Sequence, residues 1–268
     1  MKHNITVVLI LLVFFLLTQI IGLAIVNAYL EEPLPFGIER PEVDTETSFL
    51  PLFITILLVT VLALLLLKLR AIALWKIWFF LSVAFCLLVS FAILMPDKVA
   101  LALASILALW KIFKPNMIIH NFTELFIYGG LAAVFVPLFS LFSISILLIL
   151  ISGYDIIAVW KTKHMVKLAK FQTKIKLFTG LLVPYSRIHK KRTVVQIAIL
   201  GGGDMGFPLL FAGVVLRNFG FLNAVIVSIT ASIALFLLFY FAKQKKFYPA
   251  MPFLALGCFV GLGLIWVI

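Results

Sequence analysis

Long apolar runs separated by short polar breaks set the pattern of this chain. Runs near the roughly 20 residues needed to cross a bilayer occupy 5 to 28, 50 to 69, 75 to 95, 117 to 138, 140 to 160, 193 to 216, 220 to 242 and 249 to 268, with a shorter one at 98 to 113. Lipid obliges backbone groups to pair within their own segment, and the gaps do not fit the alternating strands of a barrel, so each run predicts a helix. The pattern therefore predicts an all-α, polytopic membrane protein of about nine transmembrane helices, forming one membrane domain over 1–268. Spans one to five fill 1–139, spans six and seven lie at 140–160 and 193–216 on either side of a loop at 161–192, and spans eight and nine fill 220–268. The first run is longer than a signal-peptide core and "LAIVNA" is a weak cleavage site, so it reads as a true span.

Composition agrees: 65% of residues are hydrophobic and 12% charged, and the mean hydropathy is +1.25, beyond what a water-soluble core requires. Charge then orients the spans. With Lys2 in the cytoplasm and each span reversing the chain, Lys68, Arg70, Lys76, Lys111, Lys114, the loop 161–192 and Lys243, Lys245 and Lys246 all fall inside. Of the 22 Lys and Arg, only Arg40, Lys98 and Arg217 fall outside. This positive-inside bias places the N-terminus and the loop in the cytoplasm and the C-terminus outside the cell membrane. The net charge of +12 thus reports topology. No segment is long and polar enough to display a nucleic-acid face, so that class of partner is excluded.

Seven acids, Glu31, Glu32, Glu39, Glu42, Asp44, Glu46 and Asp97, sit in predicted outer loops, where solvation explains them. Glu124, Asp155 and Asp204 remain inside predicted spans, where a carboxylate points to function. Asp155 lies six residues before Lys161 and Asp204 eight after Gln196, depths of about 9 and about 12 Å at the helical rise. On consecutive antiparallel spans the two acids can face each other below the cytoplasmic surface. Neither has an intramembrane cation close in sequence, so sharing one proton is the best relief for the pair. One ionised carboxylate to activate water and one protonated carboxyl to polarise a carbonyl is the acid/base arrangement of an aspartic protease.

These residues also carry a resemblance. "SGYDIIAVW" contains Tyr154-Asp155, "LGGGDMG" contains Gly201-Gly202-Gly203-Asp204, and "YPAMPFLALG" opens the last run with Pro249-Ala250-Met251. In this order, on spans six, seven and nine, they resemble the presenilin and signal peptide peptidase family of intramembrane aspartyl proteases. One departure is Met251, where the family's third motif, Pro-Ala-Leu, has leucine; the two side chains are close in volume and both apolar. The resemblance implies that Asp155 and Asp204 form a catalytic pair that hydrolyses peptide bonds of transmembrane segments, with no cofactor or metal. It implies a substrate that unwinds locally, received beside glycines 201 to 203, whose missing side chains allow close backbone approach, and beside irregular backbone at Pro249 to Pro252 in a form of strand addition. Tyr154 is placed to orient a carboxyl or a water. The cytoplasmic loop between the catalytic spans matches the presenilin orientation, opposite to that of signal peptide peptidases, and the compact chain looks like a microbial, archaeal-type homologue.

Glu124, in "HNFTELF", matches no motif of that family; polar neighbours such as Asn121, or the cavity, are its expected partners. The loop 161–192 holds ten Lys or Arg and no acid. Its interleaved stretch "MVKLAKFQTKIKLFTGLLVP" suits a segment lying on the anionic inner leaflet, with the lipid bilayer as partner, and its place between the two acids suits a gate. Cys86 and Cys258 fall within spans as small packing residues. There is no His-Glu-x-x-His zinc motif and no Gly-x-Ser-Gly paired with a span-borne histidine. Two alternatives stay open. Prepilin and preflagellin peptidases share the Gly-x-Gly-Asp pattern, but theirs is followed closely by a lysine where this chain has Met205 to Pro208. A proton-coupled transporter or cation channel could use membrane carboxylates as a relay. A homo-oligomer is compatible with the sequence.

Overall fold

The computed structural model describes residues 5–189, 192–242 and 248–267. Helices dominate, as the apolar runs require: α1 (Ile5–Ala28), α2 (Phe49–Lys68), α3 (Ile72–Ala92), α4 (Asp97–Phe113), α5 (Met117–Phe135) and α6 (Leu141–Ile156) follow in order. After α6 come α7 (His164–Lys174), the strands β1 (Gly180–His189) and β2 (Arg192–Gly201), then α8 (Gly202–Phe219), α9 (Phe221–Phe241) and α10 (Met251–Val267). Helix ends carry recognisable caps. The Asn116 side chain accepts from the Ile118 N–H at the start of α5, and Ser140 and Ser143 form a reciprocal capping box on α6, satisfying donors that the first turn leaves free.

Among the described residues, six helical segments are long and apolar enough to cross a membrane: α1, α2, α3, α5 with its terminal turn to Leu138, α6 with its continuation to Lys161, and α9. The other candidates are marginal for understandable reasons. α4 and α10 have 17 residues each, about 25 Å of helix against a hydrocarbon core near 30 Å. α8 holds Asp204, Pro208 and Arg217 within its 18 residues.

The seventh predicted span needs correction. Residues 193–216 are not one helix: their first part is β2, antiparallel to β1 from Gly180↔Gly201 to His189↔Arg192, and helix begins only at Gly202. Among the described residues the fold is thus helical with one added two-stranded ribbon. Local chemistry explains it, since Thr193, Val194, Val195, Ile197 and Ile199 are β-branched residues that fit a pleated surface better than a helix. Leu181 and Val183 on β1 and Ala198 and Leu200 on β2 are buried, whereas Ile197 and Ile199 are exposed. The ribbon therefore packs one face onto the protein.

α1 lies at the centre of the main core, touching α5, α8, α9 and β1. That core joins residues of α1, α5, α6, α8, α9, α10 and the ribbon, and a second one joins α3, α4 and α5. α2 has one buried residue, Ala63, while Phe49, Leu52, Phe53 and Ile56 pack half-buried against the main core. Lys163, Lys167, Lys170 and Lys174 are exposed, while Leu168, Phe171 and Ile175 pack against the second core, with the Phe171 ring edge-on to Trp75 at 5.5 Å. The apolar face of α7 is directed to α3 rather than outward.

Candidate functional site

Asp155 stands one residue from the end of α6, which continues as a π-turn from Ile157 to Lys161 closed by a Thr162 N–H to Ile157 C=O bond of 2.9 Å. Such turns are frequent at functional positions. Its partner along the chain, Tyr154, turns its hydroxyl to His164 Nε2 at 2.8 Å, with the two rings 5.6 Å apart. The opposite imidazole nitrogen, Nδ1, is 2.5 Å from Thr162 Oγ1. A neutral ring donates from one nitrogen and accepts at the other, so it serves both hydroxyls at once. Tyr154 therefore ties the Asp155 turn to α7.

The motif at 249 to 251 meets the site through its backbone. α10 begins at Met251, and the Met251 N–H donates to Asp155 Oδ2 at 3.1 Å, with the Ala250 N–H also directed to that carboxyl. A helix start leaves its first N–H groups without intrahelical partners. Here a carboxylate from another helix supplies the cap, and Pro249, which has no N–H to satisfy, is buried just before it. The Met251 side chain is buried in the main core, which is why an apolar residue of leucine's size suffices.

Asp204 occupies the first turn of α8, three residues after the N-cap Gly201, and its carboxylate accepts the Gly201 N–H. That is the back-reaching half of a capping box. The helices that carry and cap the two aspartates, α6, α8 and α10, are in mutual contact. The sequence places Asp204 two turns into a helix; the structure has it in the first turn of one, fed by a strand.

The three glycines differ in what surrounds them. A Cβ on Gly202 would stand 2.7 Å from the Tyr128 hydroxyl, and one on Gly201 3.3 Å from Asp204 Oδ2. A Cβ on Gly203 would meet nothing nearer than the Phe207 ring at 3.6 Å, and Gly203 is exposed. Close approach by another chain is open at Gly203; the other two are already filled by the protein.

Glu124, which matches no motif of the site, has surroundings different from those its sequence neighbours predict. It is fully buried, and Oε1 pairs with Lys111 Nζ at 2.7 Å, Lys111 being 3% exposed. Lys111 also donates to Thr123 Oγ1 at 2.8 Å and to the His120 carbonyl at 3.3 Å. Oε2 accepts the Tyr128 hydroxyl and the Gly180 N–H, the latter at 2.9 Å. Asn121 is no partner of Glu124: its amide bonds both the N–H and the C=O of Leu182, at 3.0 and 2.8 Å. Lys111, counted above among cytoplasmic charges, is thus an internal one. Breaking such a pair from one side costs about 3–5 kcal/mol because the other charge stays buried. The signal was present, with His120, Asn121, Glu124 and Tyr128 at spacings that fall along one side of a helix, but the cation lies on a different helix.

A protein of apolar helices that carries Asp155 near the end of α6 and Asp204 in the first turn of the contacting α8, both accepting backbone N–H groups, invites comparison with the aspartyl proteases of membranes. The sequence matches the family described as signal-peptide peptidase, presenilin aspartyl protease over residues 12–268, and the chain belongs to that family; it is an intramembrane aspartyl protease. Two solved structures are similar throughout. A presenilin family intramembrane aspartate protease in a C222 crystal form matches with a TM-score of 0.65 at 19% identity, over 95% of this chain and 96% of that one. A presenilin family intramembrane aspartate protease in a P2 form matches with a TM-score of 0.69 at 18% identity, over 96% of each chain. No curated protein matches the chain.

Proposed function

We propose that Asp155 and Asp204 are the catalytic pair of this protease and that it cuts peptide bonds within transmembrane segments of other proteins. The single observation that carries the reading is the Met251 N–H of α10 on Asp155 Oδ2 at 3.1 Å, where α6 and α10 meet α8, the helix whose first turn holds Asp204. The pair shares one proton. The ionised carboxylate takes a proton from water, the water oxygen bonds to the scissile carbonyl carbon, and the protonated carboxyl gives its proton to the carbonyl oxygen. When the tetrahedral adduct collapses the C–N bond breaks, the amine leaves with the proton taken from water, and the hydroxyl proton returns to the pair.

A helical substrate must first unwind, and β2 offers it a partner. The even-numbered residues Gly180 and Leu182 turn their backbone groups to α5. Antiparallel alternation then directs the N–H and C=O groups of Ile197 and Ile199 away from β1. Among the described residues no third strand covers them. An extended substrate adding along that edge passes Gly203 and reaches Asp204. Nine spans, a cytoplasmic N-terminus, a cytoplasmic segment from α7 to the ribbon and an external C-terminus complete the reading, supported by the charge bias.

The test is cleavage of a panel of single-span substrates by the purified protein in liposomes, beside Asp155→Asn and Asp204→Asn. Each substitution is expected to abolish cutting, and product masses to fall within the span. A variant that still cuts removes its aspartate from the chemistry. If wild type cuts nothing while driving pH-dependent ion flux, the relay reading replaces this one.

A further inference from the structure

The polar side of α5 does what a third strand would do for β1. Glu124 accepts the Gly180 N–H at 2.9 Å, His120 Nε2 donates to the Gly180 C=O at 2.7 Å, and Asn121 accepts the Leu182 N–H and donates to the Leu182 C=O. The next outward-facing residue is Pro184, which has no N–H to offer. From Gly180 to Pro184 the β1 edge is thereby closed to another chain.

The same contacts lead to Asp204. Gly180 is registered opposite Gly201, which donates to the Asp204 carboxylate, and the Gly202 N–H is held by the Thr179 C=O at 3.2 Å. Gly180 sits at φ +131°, where a Cβ would come within 2.1 Å of the Leu200 carbonyl oxygen. Tyr128, bonded to Glu124, covers Gly202 from the other side. Lys111, held by Glu124, Thr123 and the His120 carbonyl, uses its three N–H groups on this cluster, so the network is fully satisfied rather than a stray charge.

We propose that Glu124 is a positioning residue of the protease site: by gripping Gly180 it fixes the register of β1, and through Gly201 and Gly202 the place of Asp204, while reserving the β2 edge for substrate. This rests on the function proposed above. Its distinctive consequence is that the acceptor at position 124 matters and the charge does not. Misplacing a reacting group by about 1 Å costs on the order of a hundredfold in rate, so loss of the grip acts on kcat.

Two double variants of the full chain separate grip from charge, since both remove the buried ion pair. Lys111→Met with Glu124→Gln keeps a carbonyl oxygen for the Gly180 N–H; Lys111→Met with Glu124→Leu does not. In liposomes the Gln variant is expected to cleave within about threefold of wild type, and the Leu variant to lose tenfold or more in kcat with KM within about twofold. Amide exchange of residues 178–203 is read in parallel and is expected to speed up about tenfold in the Leu variant alone. Equal cleavage and equal exchange in the two variants, or a loss confined to KM, overturns the proposal. A thermal midpoint lowered equally in both, with equal loss of activity, assigns the network to stability alone and overturns it too. If wild type fails to cut, or the aspartate variants still cut, the function reading falls, and the exchange comparison still decides whether Glu124 holds the ribbon.

Discussion

His164 shows how a single side chain can couple the site to its surroundings. Its burial holds the imidazole below the usual histidine range, and the neutral ring is the form that serves Tyr154 and Thr162 together. Above pH of about 6.5 the folded and unfolded chains both carry a neutral His164, and it adds no pH dependence. As pH falls below that value the unfolded chain takes up the proton first, so stability declines until the folded value is also passed. The expected outcome is a thermal midpoint that drops in mild acid and drops less in His164→Asn. Because Tyr154 adjoins Asp155, Tyr154→Phe and His164→Ala should each slow cleavage. Their double variant should be no slower than the slower single, a coupling of roughly 0.5 kcal/mol or more in a double-mutant cycle. Additive losses would show that the two act separately.

Among the elements, those whose chemistry is local were readable and those set by a neighbour were not. Asp155 near the end of α6, and Pro249 to Met251 at the start of α10, stand where the apolar runs placed them. The ribbon escaped because "TVVQIAILGGG" is continuous in hydrophobicity with α8, and period alone does not tell a short buried strand from a helix. Its β-branched residues were the available sign. The Lys111–Glu124 pair escaped because the partners are 13 positions apart on two helices, outside any local spacing rule. The ribbon supplies a prediction of its own. Ile199→Pro removes an N–H directed away from β1, a position where a strand tolerates proline. The variant should keep the wild-type thermal midpoint within a few degrees and yet lose cleavage about tenfold or more, because the substrate edge has lost a donor. Wild-type cleavage by that variant would place substrate elsewhere than on β2.

At the scale of the molecule, close helix packing holds the α10 backbone against Asp155. A Cβ on Gly257 would come within 2.8 Å of the Ala231 Cα, and one on Gly261 within 2.8 Å of the Val227 Cα, the small-residue spacing that lets membrane helices approach. α10 is thereby locked to α9 while its first N–H meets α6. Such an arrangement works only if the ribbon and the starts of α8 and α10 share one side of the membrane, the side that the exposed lysines of α7 mark. An impermeant thiol reagent distinguishes the two sides once Cys86 and Cys258 are replaced by serine. In right-side-out vesicles Glu39→Cys is expected to label at once and Lys167→Cys only after permeabilisation. The reverse pattern would invert the molecule, putting the catalytic pair near the outer surface and requiring substrates to enter from there.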